Sequence, residues 1–223
     1  MNIFEKAANP FLFILFFALF IVSAFFVSLF SFLGKRSLRS AIKPIPVFSL
    51  SALMMAYSPD LLILCISFAI AACGDWVYVY KQRWTKLVAP FLFFVSHVLA
   101  IFYFIKQKPY LLMEDFLGLF ICVSLIYALI YYADLPFFKK KPFIIVPAIY
   151  YGTALLRVIQ LLHFSTFSPW LLLASLGMAI YLFSDVLIGI HTAVHEIKRR
   201  HFWVIFLYLI GQGLVAIGYL LAL

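Results

Sequence analysis

From Pro10 to Leu33 the chain runs twenty-four residues without a charged side chain, and seven further apolar runs follow it. Runs of this kind belong in lipid, where the backbone must satisfy its own hydrogen bonds and only helices or closed barrels span. A spanning helix needs roughly 20 apolar residues. Eight spans are predicted, at about Pro10–Leu33, Pro44–Tyr57, Leu61–Tyr80, Leu87–Ile105, Asp115–Tyr132, Pro142–His163, Pro169–Ile190 and Trp203–Leu221. The second is short for a full crossing and starts on prolines that a first helical turn tolerates. The predicted fold is therefore all-α: a polytopic integral membrane protein with about eight transmembrane helices, forming one transmembrane domain over residues 1–223. The first run is too long for a signal-peptide core and reads as a retained span.

Composition agrees. The 223 residues are 67% hydrophobic and 11% charged, against about 25% charged in a soluble domain. The net charge of +9 does not signal a nucleic-acid partner, because the basic residues sit in short loops between apolar runs. Lys35, Arg36, Arg39 and Lys43 follow span 1, and Lys81, Arg83 and Lys86 follow span 3. Lys139, Lys140 and Lys141 follow span 5, and Lys198, Arg199 and Arg200 follow span 7. These are 13 of the 17 basic residues, all on one side of the predicted topology. Positive loops stay cytoplasmic, which puts both termini on the non-cytoplasmic side. Trp76, Trp84, Trp170 and Trp203 fall near span ends, as in an aromatic belt. The minimal loops fit a bacterial inner membrane.

Cys65, Cys73 and Cys122 lie inside apolar runs with no metal-ligand spacing, and read as small buried hydrophobes. His191 and His195 share a helix face and Glu196 follows. Their order differs from the H-E-x-x-H arrangement that sets a base beside a metal, and no metal is assigned to them.

Of eight acidic residues, only Asp75 and Asp185 fall well within spans. Ionisable groups inside lipid are costly and mark function by default. Each aspartate lies about five residues before the basic end of its span, at a depth of roughly 8 Å. Two carboxylates at equal depth on different helices can meet. A low-dielectric site with two carboxyls favours keeping one neutral, which supplies an acid and a base together. The plainer reading is that each aspartate pairs with a cation. Polar stripes at helical spacing accompany them: Tyr150, Thr153, Arg157 and Gln160 in span 6, and Tyr208, Gln212 and Tyr219 in span 8. Span 4 adds Ser96, His97 and Tyr103, and Tyr181 lies one turn before Asp185. Lys43, before Pro44, reads equally as a topology lysine or as a point charge for a lipid phosphate.

Taken together, Lys43-Pro44, Gly74-Asp75, Ser96-His97, the Tyr150-to-Arg157 face, Ser184-Asp185 and Tyr208 with Gly211-Gln212 resemble the YhhN family of membrane proteins, which includes the TMEM86 lysoplasmalogenases. The motifs run in the family's order and cover nearly the whole chain. The resemblance implies hydrolysis of the vinyl-ether bond of lysoplasmalogens, giving a fatty aldehyde and glycerophosphoethanolamine or glycerophosphocholine. Asp75 and Asp185 would then be catalytic. Lys43 and Arg157 would serve the substrate phosphate, and His97, Tyr150, Tyr208 and Gln212 would orient the carboxyls and water. The partner is a lysophospholipid within the membrane, and the chemistry requires no cofactor.

Three other readings compete. An intramembrane aspartyl protease also pairs two aspartates, but Ala72 stands where its G-x-G-D motif needs glycine, and no P-A-L sequence follows. A metal-dependent lipid hydrolase would use Ser96, His97, His191, His195 and an aspartate, but the histidines lie at different predicted depths. A proton-coupled transporter of an amphiphile would bind its ion at the buried aspartates.

Overall fold

The computed structural model describes residues 6–80, 82, 84–107, 112–132, 145–193 and 199–222. Each of the eight apolar segments holds a helix. We label the elements α1 (Pro10–Phe32), α2 (Arg36–Ile42), α3 (Ile45–Tyr57), α4 (Leu62–Val79), α5 (Thr85–Gln107), α6 (Leu112–Tyr132), α7 (Ile145–Phe164), α8 (Trp170–Ala193) and α9 (Arg200–Ala222), with a single 3₁₀ turn at Pro59–Leu61. No strand occurs among the described residues. Six stretches among them are long and apolar enough to cross a membrane: Pro10–Phe32, Arg36–Tyr57, Pro59–Val79, Leu87–Lys106, Trp170–Leu187 and Arg200–Ala222.

Local chemistry sets the helix ends. The Asn9 side chain accepts from the Leu12 N–H at 3.1 Å, and Pro10 occupies the first helical position of α1. Both satisfy or remove an orphan donor. At the other end Gly34 adopts φ +70°. Its N–H bonds to the Ser31 carbonyl, and the Lys35 N–H bonds to the Phe30 carbonyl. That is a Schellman stop, which glycine allows without Cβ strain. The last carbonyls of α3 are used from outside the helix: Ala56 and Tyr57 accept from the N–H groups of Asn9 and Ala8.

The short second span has a physical explanation. Two helices, α2 and α3, meet at Lys43–Pro44 and together make one stretch, Arg36–Tyr57, that is long and apolar enough to cross. Pro44 and Pro46 supply no N–H to the turn before them, so the helix restarts there and the Lys43 side chain leaves at the break.

Packing closes six helices into a ring, α3–α4–α5–α7–α8–α9, with α9 returning to α3. Helix α1 lies outside against α3 and α9, and α6 lies outside against α7. Small residues and short hydrogen bonds hold the seams, as lipid offers little drive for helix association. A Cβ on Gly177 would lie 2.7 Å from the Gly211 carbonyl oxygen, and one on Gly218 2.6 Å from the Ala174 nitrogen, so α8 and α9 approach backbone to backbone. Ser67 bonds the Ser96 carbonyl at 2.8 Å across α4–α5, Ser51 bonds the Cys65 carbonyl at 2.8 Å across α3–α4, and Ser175 bonds the Val158 carbonyl at 2.9 Å across α7–α8. The outward faces are apolar, as on Phe11, Phe25 and Phe120, and the four tryptophans also point outward.

Candidate functional site

Five of the six ring helices, and Lys43 just before the sixth, contribute polar side chains to one continuous cluster. Asp75 lies thirteen residues after the start of α4 and Asp185 fifteen after the start of α8, so both sit about 20 Å along helices of the same direction. Lys43 lies two residues before the antiparallel α3 begins and fourteen before Tyr57 at its end, which brings it to the same level.

Asp75 is 1% exposed. Its Oδ1 pairs with Lys43 Nζ at 2.6 Å, and its Oδ2 accepts from the Tyr208 hydroxyl at 2.6 Å. The Lys43 ammonium also lies 4.9 Å from the centre of the Tyr78 ring. Asp185 is half-buried and has a different environment. Its Oδ2 accepts from the Tyr150 hydroxyl at 2.5 Å, the Tyr150 and Tyr181 hydroxyls are 2.5 Å apart, and the Tyr151 hydroxyl reaches the Asp185 backbone carbonyl at 3.4 Å. The Tyr181 and Tyr208 rings, 5.4 Å apart, link the two carboxyl sites. The close approach of α8 and α9 at Gly211, where a Cβ would meet the Tyr181 backbone at 2.8 Å, sets these rings side by side.

A third group continues the cluster. Arg157 is 2% exposed. Its Nε and Nη2 donate to the Tyr219 hydroxyl at 3.2 and 2.8 Å, and its Nη1 lies 3.1 Å from His97 Nδ1. The His97 ring packs 5.7 Å from the Tyr150 ring and 5.4 Å from the Tyr181 ring. Gln212 is buried one turn past Tyr208.

The sequence-selected residues thus converge, with two changes of partner. Lys43, assigned by the resemblance to a substrate phosphate, is the counter-ion of Asp75. Arg157, also assigned to the phosphate, bonds Tyr219 and His97, whose polar atoms lie on its own level of the bundle. Both polar stripes turn inward: Tyr150, Thr153, Arg157 and Gln160 are buried, as are Tyr208, Gln212 and Tyr219. Sequence reasoning missed Tyr78 and Tyr151. Nothing marks them among 13 tyrosines, and only proximity to Lys43 and Asp185 singles them out. His195 and Glu196 lie outside the described residues, and so does the His191 side chain. Among the described residues no group of three potential metal ligands forms.

An apolar groove of about 740 Å³ runs between α1 and α3, lined by residues such as Leu12, Phe16, Phe48, Ser49 and Met55. It begins at Ile45, two residues past Lys43, and no residue of the polar cluster lines it.

The family model for YhhN proteins matches residues 38–219, a stretch that spans the whole cluster from Lys43 to Tyr219. The chain belongs to the YhhN family. No curated protein and no solved structure matches it. Membership in the YhhN family is consistent with a membrane hydrolase of the lysoplasmalogenase kind, and it leaves substrate and mechanism open. The matched region starts inside α2, and α1 lies before it, packed on the outside of the ring.

Proposed function

We propose that this YhhN protein is a lysoplasmalogenase-like ether hydrolase. It spans the membrane eight times as one domain, with its basic loops cytoplasmic, in a bacterial inner membrane. The observation that carries the reading is the unequal pair of carboxyls inside the bundle: Asp75 ion-paired with Lys43, and Asp185 held by a tyrosine hydroxyl, with no cation at ion-pair distance among the described residues.

Vinyl-ether cleavage uses such a pair. Asp185 gives its proton to the β-carbon of the vinyl ether, leaving an oxocarbenium ion. Asp75, kept anionic by Lys43, stabilises that cation, an electrostatic role that low dielectric strengthens. Water then bonds to the cationic carbon and passes a proton to the Asp185 carboxylate. The hemiacetal loses its hydroxyl proton, its carbon–oxygen bond to glycerol breaks, and the departing glycerol oxygen takes up a proton. Fatty aldehyde and glycerophospho-base result, and Asp185 is again protonated. Tyr150 and Tyr208 aim the two carboxyls. General acid–base catalysis of this kind contributes about 10²–10⁴-fold.

The test is aldehyde release by purified protein in detergent, from a lysoplasmalogen and from an ester-linked lysolipid of the same head group. Aldehyde from the vinyl ether, with no fatty acid from the ester, supports the reading. No aldehyde from folded protein removes it. One observation favours a second reading, a carrier of amphiphiles: the crossing broken at Lys43–Pro44, since interrupted helices build transporter sites. Proton-coupled flux of a lysolipid across liposomes, without turnover, would establish that reading instead.

A further inference from the structure

A donor without an acceptor remains in the cluster. Arg157 Nη1 faces His97 Nδ1 at 3.1 Å. A guanidinium has only N–H groups to offer, so Nδ1 must present its lone pair. The single proton of the neutral ring then sits on Nε2. An imidazolium would turn a second N–H, and a second positive charge, against the guanidinium. Arg157 cannot rotate away, because Tyr219 takes its Nε and Nη2. His97 is thereby fixed as a neutral Nε2–H donor.

That Nε2 is buried and finds no acceptor among the described residues, and the ring is 1% exposed. Buried N–H groups are almost always paired, so the arrangement is complete only when an oxygen enters the bundle. The ring's neighbours say where. It lies against Tyr150 and Tyr181, whose hydroxyls touch each other, and Tyr150 donates to Asp185. The imidazole is therefore a neighbour of the Asp185 end of the site.

We infer that His97 Nε2–H binds an oxygen of the glycerol backbone of the amphiphile, and that Arg157 is a positioning residue that fixes the tautomer. This rests on the hydrolase reading for its ligand. Glycerol oxygens lie within a few bonds of the ether to be cleaved, so one can reach His97 while the alkenyl group meets Asp185. Such a donor also selects: a site built to hydrogen-bond a ligand oxygen rejects analogues lacking it, since the donor is left unpaired. Arg157 then owes its place to the imidazole, without direct contact with a phosphate.

The experiment is nitrogen NMR of the whole protein in detergent with ¹⁵N-labelled histidine. There are five histidines, and the His97→Gln variant identifies the His97 signals by their loss. The wild type is expected to show His97 as the neutral Nε2–H tautomer. Arg157→Lys keeps a cationic N–H donor of nearly the same reach toward Nδ1 and is expected to keep that tautomer, whereas Arg157→Leu releases it to a mixture. Adding a saturated alkyl-ether lysophospholipid, which has no double bond to protonate, is expected to shift the Nε2–H signal. In turnover, His97→Gln places an amide N–H near the Nε2 position and should lose less than His97→Phe. His97→Phe should raise KM roughly tenfold or more with a smaller change in kcat. A proton on Nδ1, a doubly protonated ring, or an Nε2–H signal unmoved by the ether lipid overturns the inference. The NMR measurements need no catalysis, so a shift in protein that releases no aldehyde would uphold the donor while removing the hydrolase.

Discussion

Replacing Lys43 by methionine keeps the apolar stem and deletes the ammonium 2.6 Å from Asp75. At an effective dielectric of about 20, two unit charges at that distance attract by about 6 kcal/mol. Desolvation offsets part of this, but the offset is not recovered when only one partner goes. Asp75, with a side chain 2% exposed, would keep one hydrogen bond, from Tyr208. Breaking a buried pair from one side costs about 3–5 kcal/mol. Lys43 is 17% exposed and can move its ammonium toward the surface, so Asp75→Asn should cost less than Lys43→Met. The double variant carries neither charge and should be more stable than Lys43→Met alone. Thermal unfolding in detergent, followed by tryptophan fluorescence, reads the effect. At about 2–4 °C per kcal/mol for a chain of this size, Lys43→Met should melt on the order of 10 °C below wild type. Melting within about 2 °C of wild type, or a double variant no more stable than Lys43→Met, would refute the ion pair as an element of the fold.

Other perturbations separate the parts. Tyr150→Phe removes the hydroxyl that bonds Asp185, a bond that becomes charge-assisted and worth about 1.5–3 kcal/mol as Asp185 gives up its proton, and should lower kcat roughly 10–100-fold. Tyr151→Phe, which loses only a 3.4 Å contact to a backbone carbonyl, should lower kcat far less, and equal losses in steady-state assays would contradict the assigned roles. Gly177→Ala forces a methyl group to 2.7 Å from the Gly211 carbonyl oxygen and should destabilise by about 1–3 kcal/mol, seen as a lower melting temperature. A melting temperature equal to wild type would mean that α8 and α9 do not meet there. EDTA should leave aldehyde release unchanged, and loss restored by zinc would point to a metal-dependent lipid hydrolase.

Helix positions were legible because lipid imposes one rule on every span, and each apolar segment holds a helix. The break between α2 and α3 was half legible. Pro44 and Pro46 announced a start, but α2 is polar enough, with Arg36 and Arg39, to read as loop. Equal depth for Asp75 and Asp185 followed from spacing alone. The pairing of Lys43 with Asp75 did not, because a lysine beside a span end serves topology far more often than a buried contact. Arg157 was legible as a buried cation, while its partners depended on which helices become neighbours. That order is set by the glycine seam of α8 and α9 and by the ring closure of α9 onto α3. Neither leaves a periodic signal in the chain.

The most direct test of the aspartate pair is aldehyde release from a lysoplasmalogen by wild type, Asp75→Asn and Asp185→Asn, each shown folded in detergent. The expected result is turnover in the wild type and a loss of about 10²-fold or more in each variant. Substantial aldehyde from either folded variant would contradict the assignment of the chemistry to Asp75 and Asp185.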